Sequence, residues 1–124
     1  MSPFTWAAFL TAGGCGAVTR YAVDGWIGDR TEGVFPWGTF AVNVTGSLLL
    51  GFLTGLSLYH ALSKAPLVVL GTGFCGAYTT FSTFTYETVQ LVHGGAVDEA
   101  LRNGFATIVV CATAAAAGLA LAML

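Results

Sequence analysis

Apolar residues fill four long stretches of this 124-residue chain, about residues 4–23, 36–59, 67–92 and 101–124, and polar residues gather in the short intervals between them. A helix crossing the hydrocarbon core of a bilayer needs about 20 apolar residues, and each stretch has that length. The first reaches it only by including Arg20. The second is interrupted by Asn43 and by scattered Ser and Thr, and the fourth is almost pure Ala, Val and Leu with Thr107 and Thr113 inside it. Connections this short predict an up-down-up-down array in a single membrane domain spanning 1–124, with both termini on one side. The pattern therefore predicts an all-α membrane protein with four transmembrane helices.

The third stretch departs from the other three. From Gly71 to Glu87 it reads GTGFCGAYTTFSTFTYE: weak helix formers at Gly71, Gly73 and Gly76, then hydroxyls at Thr79, Thr80, Ser82, Thr83 and Thr85 among aromatics. This predicts a helix broken in mid-membrane. Unwound backbone at that depth survives only where protein, water or an ion satisfies it, and freed carbonyl oxygens near Gly76 and Thr79 suit a small hard cation. The competing reading is a glycine kink whose Thr hydroxyls bond back to carbonyls. Phe81 and Phe84 lie three apart, on nearly one helix face, and Glu87 extends the row. Ring edges carry partial positive charge. Beside the Asn43 amide and Ser/Thr hydroxyls they would form a lining of weak donors for a small, strongly hydrated anion, since passage needs binding that is weak and spread over several sites. Simple packing is the alternative for both phenylalanines, and a helix–helix hydrogen bond is the alternative for Asn43. Thr39, Asn43, Gly46 and Ser47 share one face of the second helix.

Composition narrows the class. The chain is 56% hydrophobic and 8% charged with mean hydropathy +0.79, against about 25% charged in soluble domains. A net charge of -2 leaves no basic footprint for nucleic acid. Cys15, Cys75 and Cys111 all sit inside apolar stretches and make no disulfide framework. His60 and His93 stand at stretch ends without partners at metal-ligand spacing. The N-terminus has no basic region or cleavage site of a targeting peptide. Gly71 to Gly76 matches GxGxxG after the strand-like run Leu67–Leu70, but a dinucleotide site needs a βαβ unit, and membrane-length neighbours speak against one. Arg20 is either an interfacial anchor or a charge held in a water-filled vestibule. Arg20, Arg30 and Arg102 face Lys64 and the amino terminus across the expected membrane, a bias small enough to leave both insertions open.

Three segments, GGCGAVTRY from Gly13, GTFAVNVTG from Gly38 and GFCGAYTTFSTF from Gly73, resemble the Fluc (CrcB-type) fluoride channels, and the likeness extends over nearly the whole chain. The resemblance implies passive export of fluoride across the cell's inner membrane by an antiparallel, dual-topology homodimer with two pores, and no enzymatic activity. It further implies that Asn43, Phe81 and Phe84 line the pore, that Ser82, Thr83 and Thr107 form its polar track, and that Glu87 lies near an entrance. Arg20 would sit at the vestibule, and backbone oxygens of Gly76 and Thr79 from both subunits would hold a central sodium ion. The chain departs from the family at Ala77, where a second glycine is frequent, and at Tyr78, a usually apolar position; backbone coordination tolerates both. Two other classes have this size: a small dual-topology multidrug exporter, which calls for a carboxylate deep in a helix, and a non-transporting assembly subunit.

Overall fold

The computed structural model describes residues 1–124 and is all-helical. Helix α1 runs Pro3–Gly28, with Ser2 as N-cap accepting from the Thr5 amide and Pro3 in the first turn. The polar interval expected from Asp24 onward is helical as far as Gly28. Its closing carbonyls find donors nearby: Arg30 Nη1 donates to Trp26 O at 3.1 Å and Thr31 Oγ1 to Ile27 O at 3.0 Å. Helix α2 runs Trp37–Tyr59, entered through Pro36.

The third stretch divides in two. Helix α3 covers residues 64–78 as an α-turn at Lys64–Pro66, π-helical turns over Leu67–Cys75 and a last α-turn at Gly76–Tyr78. Thr79 (ψ 158°) and Thr80 (φ -147°, ψ 122°) are extended, and α4 then runs Phe81–His93. Thus the run at Leu67–Leu70 is helical rather than a strand, and the GxGxxG match has no βαβ setting. The break also falls after the glycines, at the two threonines. Helix α5 runs Val97–Leu121. Three helical segments, Trp37–Tyr59, Lys64–His93 and Val97–Leu121, are long and apolar enough to cross a membrane; α1 adds 26 residues of helix.

Small residues set the packing. A Cβ on Gly51 would land on the Ala115 carbonyl oxygen, and one on Gly118 on the Leu48 carbonyl oxygen, so α2 and α5 run in backbone contact. On the other side, Gly16 of α1 meets the Phe74 carbonyl and Gly73 of α3 faces Phe9 O. Lipid is as apolar as leucine, so close van der Waals fit rather than expulsion of apolar surface joins such helices. Large apolar side chains accordingly point outward, among them Leu10, Val18, Ile108 and Val109. Phe4 and Thr5 share a cleft with Ala65 and Pro66, and His60 Nε2 lies 2.7 Å from Ala122 O. Both termini therefore lie at the end of the bundle that holds the α2–α3 connection.

Candidate functional site

The break is fixed by a side chain 37 residues away. Asn43 Nδ2 donates to Thr80 O at 3.0 Å, and the Thr80 amide donates to Asn43 Oδ1 at 2.8 Å. One buried amide thus satisfies both backbone groups of the most extended residue, as bilayer depth requires. On the α3 side the Thr79 amide and hydroxyl both donate to Cys75 O at 2.9 Å. On the α4 side Thr80 Oγ1 is the N-cap: it accepts from the Thr83 amide at 3.1 Å and donates to Thr83 Oγ1 at 3.0 Å. Tyr78, just before the break, stacks on Phe74 and hydrogen bonds Thr45 of α2, the hydroxyls 2.9 Å apart. Gly46 leaves room for Tyr78 and Thr79; a Cβ there would collide with the Thr79 methyl.

Two cavities meet at Thr80. The larger, about 280 Å³, is bounded by Asn43, Ser47, Phe81, Phe84, Thr107 and Cys111 among others, and no charged residue lines it. The two rings stand 5.9 Å apart at 44°. Phe84 is buried at 8% exposure while Phe81, in the first turn of α4, is 78% exposed and faces out of the chain. The smaller cavity, about 150 Å³, is lined by Arg20, Asp24, Thr39, Thr80 and Thr83. Arg20 reaches the break, where its Nη1 donates to Thr79 O at 3.3 Å.

The remaining expected residues are distributed around this centre. Thr107 is buried and donates to Asn103 Oδ1 at 3.2 Å, whereas Thr113 is exposed and bonds back to Val109 O. Ser82 is exposed with its hydroxyl 3.3 Å from Thr80 Oγ1. Glu87 lies one turn beyond Phe84, where Oε1 accepts from Thr39 at 3.0 Å and Oε2 is the one buried side-chain oxygen without a partner. Gly76 presents an open face, since a Cβ there would meet nothing within 4 Å. The Thr79 and Thr80 amides, which would close the last turn of α3 on the Gly76 carbonyl, are engaged by Cys75 and Asn43.

Residue reasoning missed Asn103, 1% exposed and donating to Thr88 Oγ1 at 2.8 Å, and with it Cys111 and Tyr78. The signal existed: Asn103, Thr107 and Cys111 recur every four residues, one row running from the polar start of the helix into its apolar part.

Fold and site together define a small membrane-embedded helical protein centred on a broken helix with an uncharged polar cavity beside the break. The chain belongs to the CrcB-like family (Camphor Resistance, CrcB), whose model matches residues 7–119. It is 45% identical over 113 residues to a protein of Streptomyces avermitilis named fluoride-specific ion channel FluC 1, covering 91% of each chain. It is 49% identical over 102 residues to a protein of that name from Symbiobacterium thermophilum, covering 81% of this chain and 75% of the relative.

Proposed function

We propose that the chain forms a fluoride-selective channel through which the ion passively leaves the cell across the inner membrane. The observation that carries this reading is the neutral cavity at the break, where Asn43, Phe81, Phe84 and Thr107 converge in a relative of named fluoride channels. A fixed cation in that lining would hold a small anion too firmly for release; amide, hydroxyl and ring-edge donors hold it weakly and at several points. Asn43 does two jobs: it keeps the break open and turns its side of the amide to the path. The Thr107 proton points at Asn103 Oδ1, so a passing anion is met when that hydroxyl swings towards the cavity. Ser82 and Thr83 continue the polar track, Arg20 gathers anions at the vestibule, and Glu87 with Thr39 marks an entrance.

In this reading α1 is the fourth span, and two chains in opposite orientation complete the channel. The outward-facing Phe81 and the open face at Gly76 support an approach by a second copy. Sodium fits there: each chain brings the Gly76 carbonyl, freed by the break, and the Thr79 carbonyl, which keeps a lone pair beside its bond from Arg20. Two copies would supply four neutral oxygens, and the bound charge would offset the anion's lost hydration.

The test is efflux from liposomes loaded with potassium fluoride, with a potassium ionophore added so that potassium leaves with the anion, followed with a fluoride electrode. Rapid release that ignores an imposed proton gradient is expected. Vesicles that stay fluoride-tight, or release that tracks the proton gradient, would overturn the reading.

A further inference from the structure

A groove of about 400 Å³ lies between the α1–α2 connection and the start of α5, lined by Glu32, Phe35, Trp37, Phe40, Glu99 and Arg102 among others. It shares no residue with the cavities at the break. Its rings make a continuous wall, with centroids 4.5 Å apart for Phe35 and Trp37 and 5.8 Å for Trp37 and Phe40. Its charges are unevenly matched. Arg102 Nη1 pairs with Glu99 at 3.3 Å, one turn earlier on α5, and a guanidinium keeps further donors free. Glu32 has no basic partner: nearby Arg30 is stacked over the Trp26 ring at 4.1 Å and bonded to Trp26 O.

Position and surroundings narrow the occupant. The groove sits where α2 and α5 begin, beside Trp37, the depth at which aromatic belts and lipid headgroups lie. Ala106, which also lines it, stands one turn beyond Arg102, and Val109 follows on the same face, 61% exposed. An unpaired carboxylate against aromatic rings takes an ammonium. A guanidinium beside it takes a phosphate, and the apolar stripe beyond takes an acyl chain.

We infer that the groove where Glu32 and the Phe35–Trp37–Phe40 wall face Arg102 binds phosphatidylethanolamine. The primary ammonium hydrogen bonds to Glu32, the phosphate rests on Arg102, and an acyl chain follows Ala106 and Val109. Phosphatidylcholine keeps both charges but has no N–H to give Glu32. Phosphatidylglycerol brings a phosphate with no cation, to a groove that already holds two carboxylates against one guanidinium.

Native mass spectrometry of the purified protein, incubated with equal amounts of these three phospholipids, tests this. Wild type should retain phosphatidylethanolamine above the other two. Glu32→Gln should lower that retention roughly fivefold, the upper end for an exposed ion pair, and bring it level with phosphatidylcholine. Arg102→Gln should weaken both zwitterionic lipids together. Both variants should keep wild-type fluoride efflux, so this inference and the channel reading fail separately. Equal retention of ethanolamine and choline lipids by wild type, preference for phosphatidylglycerol, or retention unchanged in both variants would overturn it.

Discussion

Asn43 is bound in opposite senses at the two ends of its amide, and its isostere aspartate does not reproduce that. Aspartate can accept from the Thr80 amide but cannot donate to Thr80 O, and it sets a negative charge beside the cavity. An unmet buried carbonyl costs about 1–3 kcal/mol, so with charge repulsion added Asn43→Asp should cut fluoride efflux by roughly a hundredfold or more. Undiminished flux would place Asn43 outside the path. Phe81→Ile and Phe84→Ile nearly keep apolar volume, which holds the stability loss below about 1.5 kcal/mol. Each should abolish efflux, and only Phe84→Ile, at the buried ring, should measurably lower the melting temperature in detergent. Flux surviving both substitutions would mean that the rings only pack. At this scale the sequence was readable where chemistry stood out locally: Asn43 alone among apolar neighbours, hydroxyls and rings crowded from Thr79 to Phe84. Asn103 escaped because it stands close to charged Arg102, where a polar residue reads as part of a helix end rather than a buried group.

Between helices, contact is governed by missing side chains. Gly118→Ala drives a methyl into the Leu48 carbonyl, and neither backbone can yield without parting α2 from α5; overpacking of this kind costs about 1–3 kcal/mol. Gly14→Ala and Gly104→Ala point into open space and should leave thermal unfolding in detergent unchanged or slightly raised, alanine being the better helix former. Equal melting of all three would show that backbone contact does not join these helices. The four apolar stretches announced the helices themselves, but not that α2 and α5 pair through Gly51 and Gly118. The place of the break was less legible. Glycines at 71, 73 and 76 drew attention to the α3 turns, yet those turns stay helical, and the chain opens where Asn43 captures Thr80 instead. A pairing across 37 residues leaves no trace in local propensity. The end of α1 was hidden in the same way, since Arg30 and Thr31 close carbonyls that composition alone assigns to a loop.

For the whole molecule, the charge bias between its two ends is slight, and a dual-topology assembly follows from the channel reading. With Cys15, Cys75 and Cys111 first replaced by serine or alanine, a single cysteine at Ser63→Cys, in the connection between α2 and α3, should react with a membrane-impermeant maleimide from both faces of intact cells and inverted vesicles. Labelling from one face only would rule out insertion both ways. The up-and-down course of the helices was plain from connection lengths; how two copies meet is not written in one chain's hydropathy, because lipid and partner present the same apolar demand. The hydrogen-bonded pair between Asn43 and Thr80 has a bearing on biogenesis. It closes inside one polypeptide, so each newly inserted copy carries its finished bend while still alone. In the channel reading, copies synthesised at different moments would then diffuse laterally and dock as completed shapes, with no refolding at the encounter. Dilution into excess lipid should accordingly yield separated subunits that remain bent.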